Sequence, residues 1–183
     1  TFRLDYYSTD RGSLPRSPRE AAQRNLEICQ SFARDFRPGK QNLLLFGAPG
    51  LGKTFLSACI ARVVSEDGFS VVYDTAGHIF SQFEAAKFRR DDDGNTAGED
   101  VERCMNCDLL ILDDLGTEMT TSFVQSALYQ LLNGRLLAGK STIISTNLDP
   151  DQIGRPAAME RRCCPVWRGS TSCCPLWGRI SAA

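Results

Sequence analysis

The sequence predicts an α/β domain built on a parallel sheet, and two observations carry that prediction. Short apolar runs of strand length alternate along the chain with longer segments whose apolar residues recur at helical spacing. One run, residues 109–112, is apolar without interruption, which is typical of a strand buried on both faces of a parallel sheet. At 183 residues the chain is long enough to bury one core, so a single α/β domain is the default.

The first helix is predicted to follow a polar, turn-rich lead-in over residues 1–18. Ser17 is placed to cap this helix, Pro18 fits its first turn, and Glu20 complements its dipole. The helix ends before the first strand, residues 42–46, which is short and apolar.

The same patterns predict the later elements. Further strands are expected over residues 71–73, 109–112 and 142–145. Further helices are expected up to about residue 67, around residues 79–88, over residues 101–105 and around residues 123–132. The segment 89–100 is predicted to be a charged loop. Its adjacent carboxylates, Asp91, Asp92 and Asp93, lack the spacing and glycine turn of a calcium loop, so a solvated turn is preferred to a metal site.

A phosphate-binding loop follows the first strand. Residues 47–54 read GAPGLGKT and fit the pattern G-x-x-x-x-G-K-[ST]. The glycines let consecutive N–H groups point into one concavity, and the next helix adds the positive end of its dipole. Lys53 brings a cation to the β- and γ-phosphates, and the Thr54 hydroxyl is a hard oxygen ligand for Mg²⁺. The predicted nucleotide-binding residues are Gly47, Ala48, Pro49, Gly50, Leu51, Gly52, Lys53, Thr54 and Phe55.

Two acids and one amide complete a nucleoside triphosphate site. Because parallel strands end at a common edge, Asp113, Asp114 and Asn147 should lie near the loop. Asp113 is the predicted Mg²⁺ ligand, acting through water, and Asp114 is placed to polarise the attacking water. Asn147 can orient that water or contact the γ-phosphate; its alternative is a turn residue or a cap. The predicted catalytic residues are therefore Asp114, Lys53 and Asn147.

With these residues identified, residues 5–148 resemble the AAA+ ATPase domain of the bacterial DnaC/DnaI-type helicase loaders and the IstB-like ATP-binding proteins. The matching blocks are GAPGLGKTFLSACIA, SVVYDTAGHIF, CDLLILDDLGTE and IISTNL, in family order. The resemblance implies ATP and Mg²⁺, ATP hydrolysis, assembly of like subunits through the ATPase interface, and single-stranded DNA. It also implies that the strand before Asn147 lies between the phosphate-loop strand and the Asp113 strand. The family often has Asp-Glu where this chain has Asp113-Asp114.

Three functions follow from the resemblance. The leading hypothesis is a loader of the replicative DNA helicase in DNA replication. The alternatives are a transposition-helper ATPase with a transposase as partner, and a nucleotide-binding remnant that does not hydrolyse ATP.

Residues 156–183 depart from the family pattern and are interpreted as a frameshifted tail. The family would continue with a segment like RRYGAAVLSRLEGEYELLP and then GEDIR. Suitable codons for residues 158–181, read in another frame, can spell YGAAVLSRLEGEYELLP followed by GEDIR. The resemblance places an arginine finger and a second sensor arginine in that segment, so weak hydrolysis is expected. The last core strand is also expected to be missing, which would leave residues 42–46 at an exposed sheet edge beside a poorly ordered tail.

Cysteines offer an alternative interpretation of the tail. It contains the adjacent pairs Cys163-Cys164 and Cys173-Cys174, but structural zinc sites generally use pairs separated by two to four residues. Cys104 and Cys107 have C-x-x-C spacing without a second pair. Because they precede a core strand, small buried residues are favoured over a redox or metal site.

Composition limits the remaining choices. The net charge of −1 gives no global basic field, so contacts with nucleic acid must come from local patches. No apolar run reaches membrane-spanning length and no signal peptide opens the chain, so a cytoplasmic protein without a membrane partner is expected. The start at Thr1, without a partner-binding domain, is expected to reflect a fragment. The predicted organisation is a lead-in and helix (1–40), an AAA+ core (41–155) and the tail (156–183).

Overall fold

A computed structural model describes residues 2–13, 16–88, 96–116, 121–148 and 177–181. Five parallel strands form one sheet in the spatial order β2-β3-β4-β1-β5. The strands are β1 (Asn42–Phe46), β2 (Val71–Thr75), β3 (Leu109–Leu115), β4 (Ser141–Thr146) and β5 (Trp177–Ser181). The helices are α1 (Pro18–Arg34), α2 (Lys53–Glu66), α3 (Ala76–Phe88), α4 (Thr96–Asn106) and α5 (Ser122–Leu137). The strand order confirms that β4 lies between the phosphate-loop strand and β3.

Period-two alternation along the strands divides the core into two layers. Leu43, Leu45, Ile111 and Ile143 pack with residues of α1 and α2 on one face of the sheet. The intervening residues pack with α3, α4 and α5 on the other face; they include Leu44, Leu110, Leu112 and Ile144. The first face matters for function, because Asp113 and Ser145 lie on it, two positions after Ile111 and Ile143, and are directed towards α2.

The predicted start of α1 is confirmed in atomic detail. The Ser17 side chain accepts a hydrogen bond from the backbone N–H of Glu20 at 3.3 Å, and Glu20 Oε2 accepts from the backbone N–H of Ser17 at 2.8 Å. This reciprocal pair satisfies two N–H groups at the helix end that have no partner within the helix. The lead-in before it contains a single 3₁₀ turn, Leu4–Tyr6.

The predicted loop over residues 89–100 is too long, because α4 already begins at Thr96. The charges that favoured a loop include Glu99, which lies in the first turn of α4, where a carboxylate complements the helix dipole. The solvated turn that was preferred to a metal site involves Asp91, Asp92 and Asp93, which lie outside the described residues.

The prediction that the last core strand is missing is wrong. β5 pairs with β1 in parallel along its whole length, from Asn42 opposite Trp177 to Phe46 opposite Ser181. Ladder hydrogen bonds are made by backbone groups, so an extended segment of unrelated sequence can pair with the edge of β1. β1 is therefore an internal strand. Residues 149–176 and 182–183 lie outside the described residues. They include the four tail cysteines and most of the tail that was predicted to be poorly ordered.

Cys104 and Cys107 are buried, which confirms their prediction as core residues. Burial raises the pKa of the Cys104 thiol to about 11, and it also raises the pKa of the Cys107 thiol. A thiol of this kind is protonated and unreactive at neutral pH. Within the described ranges, no cluster of three or more His, Cys, Asp or Glu side chains is arranged to hold a metal ion, and no helix is long and apolar enough to cross a membrane.

Candidate nucleotide-binding site

The phosphate-binding loop connects β1 to α2 at the carboxyl edge of the sheet. Gly52 occupies the N-cap position of α2 with φ 80°, a left-handed conformation that glycine adopts without strain. Among the residues that the structure describes, no side chain caps this helix start, so its first N–H groups keep their capacity to bind an anion. Gly52 is also constrained from outside, because a Cβ there would lie 3.0 Å from Cε2 of Phe2.

The Lys53 ammonium lies inside the curve of this loop. Its Nζ donates hydrogen bonds to the carbonyl oxygens of Gly47 at 2.8 Å and Ala48 at 2.9 Å, and to Oδ1 of Asn147 at 2.7 Å. Burial lowers the pKa of Lys53, and the nearby carboxylates of Asp114 and Asp113 act in the opposite direction. The cation is thus partly desolvated and held by neutral oxygens, which phosphate oxygens can replace.

The Asp113 carboxylate is buried and accepts hydrogen bonds from three hydroxyl groups. Thr54 Oγ1 donates to Asp113 Oδ1 at 3.3 Å, and the Tyr73 hydroxyl donates to Oδ2 at 2.6 Å. The Ser145 hydroxyl also donates to Oδ1. Because the Thr54 proton is directed at Asp113, the lone pairs of its oxygen remain able to bind a hard cation. Thr54 and Asp113 therefore form the oxygen pair that the sequence predicted for Mg²⁺.

Asp114 differs sharply from its neighbour, since it is exposed and has a φ of 55°. Its backbone N–H donates to Ser145 Oγ at 3.0 Å, and its Oδ1 accepts from Asn147 Nδ2 at 2.8 Å. The ladder between β3 and β4 is interrupted here, with a register shift between Leu112 and Leu115. Such an interruption redirects a side chain at a strand end.

Asn147 connects the predicted catalytic residues. Its side-chain oxygen accepts from Lys53 and its side-chain amide donates to Asp114. The structure therefore brings Lys53, Asn147 and Asp114 into one chain of contacts beside the Thr54–Asp113 pair. The alternative of a cap for residues 149–150 falls outside the described residues.

Two residues that contact Asp113 were missed by the sequence analysis. Ser145 lies two positions after Ile143 on β4, and Tyr73 lies opposite Ile111 on β2. Ser145 carried a signal, because it is a polar residue near the carboxyl end of a parallel strand, where ligands bind. Tyr73 lies within the family-matching block SVVYDTAGHIF, but nothing there pointed to the site, because a partly exposed aromatic residue is ordinary in a strand.

The N-terminal residues 2–7 pack on the phosphate-binding loop. The Tyr7 hydroxyl donates to the carbonyl oxygen of Leu51 at 3.1 Å, and the rings of Phe2 and Phe55 lie 6.1 Å apart between centroids. A cavity of about 10 Å³, enough for one water molecule, remains between this segment, α1 and the side chains of Leu51 and Leu56. The lead-in is therefore part of the wall of the site.

Comparison with known proteins places this geometry in a family. The model of the family of IstB-like ATP binding proteins matches residues 16–155. YdaV, an uncharacterized protein of Escherichia coli K12, is 30% identical over 124 residues, which cover 68% of this chain and 48% of YdaV. The replicative helicase loader DnaC of Buchnera aphidicola is 24% identical over 66% of this chain and 48% of its own length. A Pseudomonas fluorescens protein named for insertion sequence IS1162 and for ATP binding is 27% identical over 75% of this chain and 54% of its own length. The chain spans about half the length of these curated relatives.

Solved structures show the same fold. The crystal structure of the DnaC helicase loader has a TM-score of 0.61 and 24% sequence identity, over 80% of this chain and 77% of that one. DnaA from Aquifex aeolicus, solved with AMPPCP bound, has a TM-score of 0.61 and 21% identity, over 73% of this chain and 40% of that one. The sheet and its flanking helices are those of an AAA+ P-loop ATPase domain, and by its family match the chain belongs to the IstB-like ATP-binding proteins.

Proposed function

We propose that this chain binds Mg²⁺-ATP at the site around Lys53 and hydrolyses it. One observation carries the proposal: the contacts join Lys53, Asn147 and Asp114, next to a second set that joins Thr54 and Asp113. The donors suit the ligand, since backbone N–H groups and an ammonium bind phosphate, whereas hydroxyl and carboxylate oxygens bind Mg²⁺.

Each residue has a separate task in this proposal. Residues 47–55 hold the phosphates, and Lys53 exchanges its loop carbonyls for phosphate oxygens. Thr54 and Asp113 would hold Mg²⁺, which would neutralise charge on the phosphates of the nucleotide. Asp114 takes a proton from the attacking water. Asn147 fixes the Asp114 carboxylate through Oδ1, so the second carboxylate oxygen is left to act as the acceptor.

Hydrolysis by this chain is proposed to be slow. The resemblance to the helicase loaders places an arginine finger and a second sensor arginine in the segment that residues 156–183 replace. The family match ends at residue 155, which supports a change of sequence character at that point. An arginine finger contributes roughly 10³–10⁵ in rate, so binding should survive better than turnover. The coding DNA tests the frameshift: it must contain the codons that the alternative frame requires.

The proposed role is loading of the replicative DNA helicase in the cytoplasm, with single-stranded DNA bound and like subunits assembled through the ATPase interface. The DnaC relative supports it. A transposition helper with a transposase partner is the second candidate, because the family model that matches is the IstB-like one and the IS1162 relative covers more of the chain. A nucleotide-binding remnant without hydrolysis is the third.

ATP turnover, measured with and without single-stranded DNA, tests these proposals together. Two chains are compared, the present one and a version that continues after residue 155 with the family-like segment. We expect both to bind ATP and the restored version to turn over faster, with DNA changing its rate. Equal rates would contradict the account of the tail. Capture of purified replicative helicase or transposase by the restored version then separates the first two roles.

A further inference from the structure

Tyr73 contacts the predicted magnesium ligand, although the sequence assigned it no role at the site. Its hydroxyl donates to Asp113 Oδ2 at 2.6 Å and lies 3.5 Å from Ser57 Oγ on α2. The placement follows from register, because Tyr73 lies opposite Ile111 and Asp113 is two residues further along β3 on the same face. The contact thus joins a neighbouring strand to the centre of the site.

The hydrogen bonds to Asp113 show what this hydroxyl does. An ionised carboxylate offers about four acceptor positions, two on each oxygen. Thr54 and Ser145 donate to Oδ1, whereas Tyr73 donates to Oδ2. Among the described contacts, one acceptor position therefore remains, on Oδ2, and the Tyr73 hydroxyl fixes the direction in which it points.

Packing alone does not call for this hydroxyl. Tyr73 is 37% exposed and lies in a strand where phenylalanine would fill the same space. What phenylalanine would lack is the O–H group that donates to Asp113 Oδ2. The hydroxyl thus serves as a donor to one carboxylate oxygen.

We propose that Tyr73 is a positioning residue that orients the Asp113 carboxylate for Mg²⁺. The inference rests on the proposed binding of Mg²⁺-ATP. With three hydroxyl donors and Mg²⁺, all four acceptor positions of Asp113 would be occupied. Proton acceptance is then left to Asp114, for which the structure describes a single side-chain donor, the Asn147 amide.

The test is Tyr73→Phe in the full chain, with Tyr129→Phe as the matched control. Tyr129 lies on α5, on the opposite face of the sheet from the site. Its change to phenylalanine removes the same hydroxyl group without touching the site. Binding of a fluorescent ATP analogue is titrated with Mg²⁺ and also measured without it. We expect the half-saturating Mg²⁺ concentration to rise roughly tenfold to a hundredfold in Tyr73→Phe, the usual effect of removing a partner of a metal ligand. Affinity without Mg²⁺ and the melting temperature should match the control.

The outcomes separate this inference from the proposed function. If the unmodified chain binds the analogue without any response to Mg²⁺, or not at all, both proposals fall. If the unmodified chain responds to Mg²⁺ and Tyr73→Phe responds equally, only the role of Tyr73 is refuted. Equal weakening with and without Mg²⁺, or a loss of folding, would make the hydroxyl a structural group and overturn the inference.

Discussion

Arg135 on α5 is completely buried, and its guanidinium faces backbone carbonyls. Its Nη1 donates to the carbonyl oxygens of Cys104 at 2.7 Å, Met105 at 3.2 Å and Cys107 at 3.1 Å. Cys104 and Met105 belong to the last turn of α4, where carbonyls have no partner within the helix, and Cys107 is the residue after its end. Arg135 therefore caps α4 from a different helix.

The same guanidinium also reaches the sheet. Its Nε donates to Thr142 Oγ1 at 3.0 Å, and its Nη2 donates to the carbonyl oxygen of Ser141. One side chain thus ties α4 and α5 to the start of β4. Because all three nitrogens of a rigid, planar fork donate at once, lysine cannot reproduce the arrangement.

Arg135→Met keeps most of the apolar stem and removes every donor. Three carbonyls at the end of α4 then lose their charged partner, and each unsatisfied buried group costs about 1–3 kcal/mol. Water entry and structural relaxation reduce the summed cost of the unsatisfied carbonyls. The variant also avoids the free-energy cost of desolvating a guanidinium. We therefore expect the lower end, about 3 kcal/mol, which corresponds to a fall of roughly 6–12 °C in melting temperature for a chain of this size.

Urea and thermal denaturation followed by circular dichroism measure this effect. Arg62→Met is the control, because the Arg62 side chain is 79% exposed and bonded only to Glu66 on its own helix among the described contacts. Its stability should equal that of the unmodified chain. Arg135→Lys should lie between the two, since it keeps the charge and loses the fork. If Arg135→Met unfolds at the same urea concentration as Arg62→Met, the carbonyls are satisfied in some other way and the reasoning is wrong.

Three further predictions concern the site, the amino ends of β3 and β4, and β5. Asp114→Asn should retain ATP binding and lose roughly 10²–10⁴ in turnover, whereas Asp113→Asn should raise the Mg²⁺ requirement for binding; identical defects in binding and turnover assays would contradict separate roles. Asp108 accepts from Lys140 Nζ at 2.9 Å, and this bond, together with bonds from Ser70, lowers the pKa of Asp108 from 3.8 to about 2. Its stabilising contribution is present above the unfolded pKa and is lost as the pH falls from about 4 to 2. Asp108→Asn should therefore be less stable at neutral pH and lose less on acidification, and parallel denaturation curves across that range would refute this. Removal of residues 177–183 should unpair β1, lower the urea midpoint and increase light scattering, whereas removal of residues 182–183 alone should do neither; unchanged scattering in the longer deletion would show that the β1 edge is protected without β5.

The predicted elements and site residues depend on local signals. The loop motif fixes Lys53 and Thr54 within a few residues of β1, and the apolar runs locate β3 and β4. Asp113 and Asn147 could then be assigned to the site because parallel strands end at the same edge. No information about side-chain packing was needed for that step.

The contacts around these residues depend on non-local register, which sequence patterns do not contain. A shift of one residue between β2 and β3 would turn Tyr73 away from Asp113. The burial of Arg135 is not visible in the helix pattern, because its carbonyl partners come from a segment about thirty positions away. β5 was missed for a related reason: backbone pairing along β1 places few demands on the sequence of its partner.

The interruption in β3 explains how two adjacent carboxylates acquire different roles. In a regular strand, consecutive side chains point to opposite faces, so Asp114 would be directed away from the face that holds Asp113 and α2. The φ of 55° at Asp114 breaks this alternation, and its carboxylate meets Asn147, which in turn holds Lys53. Aspartate adopts this left-handed conformation more readily than most residues. The register shift between Leu112 and Leu115 is therefore what places a buried carboxylate beside Thr54 and an exposed one beside Asn147.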